Sequence, residues 1–457
     1  MFKNRIACLL ILCALPQVIA AQSVHYEANW ESLNKRPTPP WFDDAKFGIF
    51  IHWGVYSVPA FADPHSKIGE TYAEWYWNHM QNKEGPTWAF HLKHYGAAFQ
   101  YQDFTDQFKA ELYDPDQWGE LFQRAGARYV VLTSKHHEGF CLWPCPASWN
   151  WNAMDVGPHR DLAGDLSKAV AAHGIKMGFY YSLYEWYNPL YLHDKEHYVS
   201  DHMLPQMKDL VERYHPSLLW TDGEWEQPSS VWKSTDFLAW LFNESSVRDE
   251  IAVNDRWGKE TRETDGGFYT SEYAGFTKSG VPLGAGHKWE ECQGIGKSFG
   301  YNRVEGLEDY KSSAELIHLL VDTVARGGNL LLDIGPTADG RIPVIMQERL
   351  VQIGDWLKVN GEAIYGTHPW REPSEGDVRY TSKGAAVYAI AESWPGQELV
   401  LAVPQPESAA TVTLLGSTQP VKWRISGGRM HIEVPSPSEK DLTSTSEAYT
   451  FKLTGVK

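Results

Sequence analysis

Cysteine is scarce in this chain, with 5 residues among 457. Cys8 and Cys13 fall in the first apolar stretch, which leaves Cys141, Cys145 and Cys292 for the remainder. Three thiols cannot build a disulfide framework for a protein of this size, so stability has to come from a buried core. Cys141 and Cys145 could pair across a short loop. No Cys-x-x-Cys, His-Glu-x-x-His or mixed Cys/His cluster has the spacing of a zinc site, so no metal is expected. Positive charge is also in deficit: 41 Lys and Arg stand against 58 Asp and Glu, for a formal charge of −17. So negative a surface repels phosphate backbones and anionic lipid headgroups, which argues against nucleic acid and membrane surfaces as partners.

An apolar run long enough to span a bilayer is missing as well. The nearest approach is at the N-terminus, where Lys3 and Arg5 precede an apolar stretch from Ile6 to Leu15, followed by Val18-Ile19-Ala20. That stretch falls well short of the roughly 20 residues a spanning helix needs. A positive start, a short apolar centre and small residues before Ala21 form the pattern of a secretory leader. Residues 1–20 are therefore expected to be a signal peptide, and the mature protein to be secreted or periplasmic, or lysosomal if the source is eukaryotic.

Aromatic residues, in contrast, are abundant, at 14% of the chain with 21 Trp. Large rings anchor cores, and they also suit the apolar C–H faces of pyranose sugars; composition alone favours the first reading.

Strand-like runs occur at Phe47–His52, Tyr129–Thr133, Met177–Ser182, Ser217–Thr221, Ile251–Asn254 and Asn329–Ile334. Amphipathic helical patterns separate them, at Asp116–Ala125, Leu166–His173, Leu204–Tyr214 and Ala314–Ala325. Continuous apolar strands alternating with helices imply a parallel sheet buried on both faces. Six such units, with less regular candidates between, fit an α/β fold of the (β/α)8-like, TIM-type barrel class over residues 21–366. From about Pro369 the helical pattern gives way to short alternating strands, which predicts an antiparallel β-sandwich over residues 367–457.

In such barrels functional groups sit at the C-terminal ends of strands. Five of those ends carry polar or aromatic residues: His52-Trp53, Lys135-His136-His137-Glu138, Tyr181-Ser182, Asp222-Gly223-Glu224-Trp225 and Asn254-Asp255-Arg256. Asp222, at the tip of a buried strand between Trp220 and Trp225, has the position of a nucleophile, a metal ligand or a helix cap. Glycosidase chemistry needs a second carboxyl, roughly 5–5.5 Å away in a retaining enzyme. Glu272, Glu290 and Glu291 are candidates, and each could equally be a solvated loop acid. His136 and His137 suit sugar hydroxyls better than a metal, since neighbours on a strand point to opposite faces. Arg256 could brace a carboxylate or make a structural salt bridge.

Taken together, GIFIHWGVYSVPAF, EWYWNHM, ARYVVLTSKHHEGF, LLWTDGEWE, VNDRWG, HKWEEC and GGNLLLDIGPTADG resemble glycoside hydrolase family 29, the α-L-fucosidases. The resemblance runs from about residue 25 to the end. It implies an irregular (β/α)-barrel, a C-terminal β-sandwich and a retaining mechanism with no cofactor. By the match of WTDGEW it makes Asp222 the nucleophile. By the Trp-Glu-x-Cys pattern it makes Glu290, after Trp289 and in register with Cys292, the acid/base, with Glu272 as second choice. The fucose pocket it implies comprises His52, Glu74, Trp75, His136, His137, Tyr181, Trp220 and Arg256. Tyr181 is the least secure of these because Tyr180 is its neighbour. GIGKSFGY departs from the animal members of the family, which leaves leaving-group contacts there open. Expected partners are fucosylated oligosaccharides or glycoproteins, and association between copies of the chain is left open. The competing readings are a fucose-binding lectin and a hydrolase of a related sugar such as a galactoside.

Overall fold

The structure is a computed structural model that describes residues 24–67, 69–186, 188–273, 286–435 and 447–457. The expected leader, residues 1–20, lies outside the described residues. Eight parallel strands form one sheet in the order β5-β4-β3-β2-β1-β8-β7-β6. They are β1 (Phe47–Ile51), β2 (Tyr129–Lys135), β3 (Lys176–Ser182), β4 (Leu218–Asp222), β5 (Ala252–Val253), β6 (Tyr269–Glu272), β7 (Trp289–Gly294) and β8 (Gly328–Ile334). The two edges meet through a single parallel bridge, Asn254 to Phe268, which closes the sheet into a barrel. That closure removes the exposed edges an open sheet would leave.

Alternation along each strand divides the apolar residues into two cores. Phe50, Tyr129, Val131, Tyr180, Leu218, Trp220, Cys292 and Leu331 pack inside the barrel. Their neighbours Ile49, Ile51, Val130, Leu132, Phe179, Tyr181, Leu219, Leu330 and Leu332 face outward onto the helices. Both faces are thus buried, which is why β1, β2, β4 and β8 read as unbroken apolar runs.

The helices follow their sequence signals. Pro115–Ala125 starts from Asp114, whose side chain accepts from the Asp116 and Gln117 amides, and stops at Gly126 with φ 85°. Ser313–Ala325 opens with a capping box between Ser312 and Glu315. Strands β6 and β7 were not among the six apolar runs, because Tyr-Thr-Ser-Glu and Trp-Glu-Glu-Cys-Gln-Gly carry acids within them. Glu272, Glu290 and Glu291 are therefore strand residues, and the loop-acid alternative is corrected.

The C-terminal unit consists of a five-stranded and a three-stranded antiparallel sheet. Tyr380, Leu401, Met430, Ile432, Phe451 and Leu453 form their common core. The opposite face of strand Ala386–Ala391, through Ala386, Tyr388 and Ile390, joins the core around the barrel. Trp356 Nε1 donates to the Ala448 carbonyl at 2.9 Å across the same junction. Cys141, Cys145 and Cys292 are free, buried thiols, so the considered Cys141–Cys145 pairing is not formed.

Candidate active site

A cavity of about 490 Å³, measured with its open mouth, lies over the C-terminal ends of the barrel strands. Its floor includes Trp220 and Phe50, and its walls carry Asp222, Glu272, His52, Glu74, His136 and His137. Asp222 is the last residue of β4 and is 8% exposed, so it touches the cavity while remaining rigidly held. Arg256 Nη1 donates to its Oδ1 at 2.7 Å, and the Tyr180 hydroxyl donates to its Oδ2 at 2.9 Å. Burial alone would raise the Asp222 pKa, but Arg256, with smaller contributions from His137 and Arg262, outweighs it and holds the carboxyl well below the usual range. Asp222 is thus an anion at any ordinary pH.

Arg256 also reaches the second acid. Its Nη2 donates to Glu272 Oε1, and its Nε donates to Thr270 Oγ1 at 2.8 Å. One planar guanidinium therefore bridges Asp222 and Glu272, and its carbon lies 4.2 Å over the Trp220 ring. That bridge holds one oxygen of each acid against the same guanidinium. Glu272 closes β6 at the mouth, with its side chain 32% exposed.

Neutral donors and acceptors surround the anions. His52 follows β1 and contacts Asp333 Oδ1 through Nδ1 at 2.6 Å, which leaves Nε2 as its other ring nitrogen for the cavity. His137 contacts Ser182 Oγ through Nδ1 at 2.7 Å, with Nε2 at 3.7 Å from Asp222 Oδ2. Burial keeps both rings uncharged by lowering their pKa values well below the usual one. His136 lies flat against the Tyr180 ring, with centroids 5.7 Å apart. Glu74 Oε2 accepts from the Gly300 amide at 2.8 Å, and burial raises its pKa. Trp75 and Trp225 stand on one rim, with ring centroids 6.1 Å apart.

The structure places two of the expected site residues away from the cavity. Tyr181 does not face the cavity: its hydroxyl donates to Gln206 Oε1 at 2.6 Å in the outer core. Tyr180 lines the site instead. The register pairs Tyr180 with Trp220 and Ser182 with Asp222, so Tyr180 shares the inward face of Trp220 and Asp222. Glu290 does not reach the cavity either. It is 0% exposed and points into the barrel with both oxygens occupied, Oε1 by Trp220 Nε1 at 2.9 Å and Oε2 by the Tyr129 hydroxyl at 2.5 Å. The register sets Thr270 beside Glu290 and Glu272 beside Cys292, so Glu290 lies one interior layer below Glu272, roughly 6–7 Å deeper. Burial pushes its pKa up to about 7, a value that suits an acid/base, but a proton donor must first reach the leaving oxygen. Glu291 faces the other side of the strand, where its Oε1 accepts from Gln293 Nε2 at 2.7 Å.

Sequence reasoning missed Phe50, Tyr72, Tyr180, Cys292 and Phe299, all of which line the cavity. Strand parity points to two of them: Phe50 is two residues before His52, and Tyr180 is two before Ser182. Tyr72 and Phe299 come from irregular segments with no such signal.

Known proteins match the chain over nearly its whole length. An "Alpha-L-fucosidase" family model matches residues 13–362, and an "Alpha-L-fucosidase C-terminal domain" model matches residues 371–454. Human tissue alpha-L-fucosidase is 47% identical, over 98% of this chain and 96% of its own length. An alpha-L-fucosidase of Dictyostelium discoideum is 44% identical, over 95% of this chain and 96% of its own. Among solved structures, the Thermotoga maritima alpha-fucosidase with a mechanism-based inhibitor superposes with TM-score 0.81 at 39% identity, covering 94% of this chain and 100% of that one. The same enzyme with fucose gives TM-score 0.80 at 38% identity, with the same coverage. With both halves matched by family models and relatives nearly half identical from end to end, the chain belongs to the α-L-fucosidase family of glycoside hydrolases.

Proposed function

We propose that the chain is a retaining exo-α-L-fucosidase in which Asp222 is the nucleophile and Glu272 the acid/base. The observation that carries this reading is the Arg256 fork, which grips one carboxylate with each terminal nitrogen. Asp222 attacks the anomeric carbon as the bond to the leaving oxygen breaks, and Glu272, entering the step protonated and released from the Arg256 ion pair, gives that oxygen its proton. In the second step Glu272 takes a proton from water, the water oxygen attacks the anomeric carbon, and the ester to Asp222 is cleaved. Arg256 keeps Asp222 ionised before attack, and the exposure of Glu272 lets its carboxyl meet an arriving glycosidic oxygen.

The closed floor supports cleavage of a terminal sugar. His52, His136, His137 and Glu74 offer hydrogen-bonding groups to the hydroxyls, with Trp75, Trp220 and Arg256 completing the sugar-binding set. Phe50, Cys292 and Phe299 supply an apolar side suited to the methyl group of fucose. Fucosylated oligosaccharides and glycoproteins are the substrate class this implies. The catalytic unit is assigned to residues 21–366 and the sandwich to 367–457, supported by the end of helix Val344–Asn360 and the first C-terminal strand at His368. The leader pattern of residues 1–20 supports export.

The test is the configuration of the first sugar released. Proton NMR during rapid hydrolysis of an aryl α-L-fucoside should show α-L-fucose first, with the β form arising only by mutarotation. β-L-fucose as the first product would overturn the retaining assignment.

A further inference from the structure

Glu290 has no access to the cavity, yet it is joined to the cavity floor. Its Oε1 holds Trp220 Nε1 at 2.9 Å, while the Tyr129 hydroxyl donates to Oε2 at 2.5 Å. Trp220 lines the cavity from below. The Arg256 guanidinium carbon rests 4.2 Å over the Trp220 ring, and that guanidinium grips Asp222 and Glu272. Carboxyl, indole and guanidinium thus form one continuous path from the barrel interior to both acids.

We propose that Glu290 is a positioning residue that fixes the Trp220 ring beneath the sugar and, through it, the Arg256 fork. The proposal rests on the reading of Asp222 and Glu272 given above. An indole buried in the barrel interior carries one polar atom, its N–H, and leaving that donor unpaired is penalised. The carboxyl that receives it is itself immobile, because Tyr129 holds the second oxygen from the far wall. Two donors converge from β2 and β4 on one side chain of β7, and a group with two oxygens matches both. A glutamine could still satisfy them. Its Oε1 would accept from Trp220, and its amide N–H would donate to a Tyr129 hydroxyl turned to accept. An apolar side chain could satisfy neither. This requirement explains a fully buried acid without giving it a proton to transfer to substrate.

The test compares Glu290→Gln and Glu290→Leu in the full chain on two substrates, an activated aryl fucoside and a fucosyl disaccharide with a poor leaving group. Glu290→Gln should retain kcat/KM within a few-fold on both. Glu290→Leu should lose on the order of 10²-fold by misplacing the site, equally on both substrates, with weaker inhibition by free fucose and an altered near-ultraviolet tryptophan signal. Should Glu290→Leu fail to fold, Trp220→Phe removes the indole N–H while leaving Glu290 in place. It should show the same equal loss, with no further change when Glu290→Gln is added. Loss in Glu290→Gln confined to the poor leaving group would overturn the proposal, because it would mark a proton donor. Wild-type kinetics in folded Glu290→Leu, or in Trp220→Phe, would also overturn it. Neither result touches the anomer released, so the retaining mechanism stands or falls separately.

Discussion

His52 Nδ1 and Asp333 Oδ1 lie 2.6 Å apart, and the other Asp333 oxygen is buried without a hydrogen-bond partner. Burial raises the Asp333 pKa well above the carboxylate range and lowers that of His52, so the contact is a hydrogen bond between two groups that burial keeps uncharged. Its evident task is to orient the imidazole. Asp333→Ala should free the ring and lower kcat/KM by roughly 10- to 100-fold. Asp333→Asn keeps an acceptor and should lose less. Equal losses in the two variants, with equal melting temperatures, would show that orientation is not the role.

Adjacent tyrosines should separate cleanly into function and stability. Tyr180→Phe removes a hydrogen bond to the Asp222 carboxylate, worth about 1.5–3 kcal/mol for a charged acceptor, so kcat/KM should fall by roughly 10- to 100-fold. Tyr181→Phe removes bonds to Gln206 and Lys135 in the outer core. It should cost about 1 kcal/mol of folding stability and leave kinetics unchanged. Steady-state kinetics and thermal melting of the pair decide this.

For the two acids, leaving groups are the discriminating probe. Asp222→Ala should lose turnover by roughly 10⁴-fold, with azide and an activated aryl fucoside restoring product as a fucosyl azide. Glu272→Ala should be severely slowed on poor leaving groups and only mildly on activated ones. Were Glu272→Ala equally slow on both, the acid/base role would have to move elsewhere.

Glu290 also makes a prediction about pH and folding. Its pKa in the folded chain is raised from 4.5 to about 7, so the native state binds more protons between those values. The stabilising contribution of that proton is complete below the unfolded value and is lost as pH rises through the folded one. Glu290→Gln does not titrate. Its stability relative to wild type should therefore grow from pH 4 to pH 8, by up to about 3 kcal/mol, in denaturant melts at each pH.

Much of this was legible in the chain because six barrel strands are buried on both faces, where the loss of hydration disfavours polar residues. The two strands that escaped notice, β6 and β7, hold acids whose charge is answered inside the barrel: Glu272 by Arg256, Glu290 by Tyr129 and Trp220. A linear reading sees the acids without the distant donors. The position of Asp222 was visible at a strand tip, since Trp220-Thr-Asp places it directly after an apolar run. The depth of Glu290 was hidden for a different reason: it and Glu272 both point inward, and only position along the strand separates them. Tyr181 failed by one residue, which on a strand means the opposite face.

The barrel's thinnest joint runs between Asp222 and Glu272. Strand β5 has two residues and meets β6 through the lone Asn254–Phe268 bridge. Asp222 stands on one flank of that seam and Glu272 on the other. Arg256, rooted just past β5, reaches across to hold both. The arginine is in this sense a staple: it spans the gap where backbone pairing is thinnest. The spacing of the Asp222 and Glu272 carboxylates is thereby tied to one side chain as well as to the sheet.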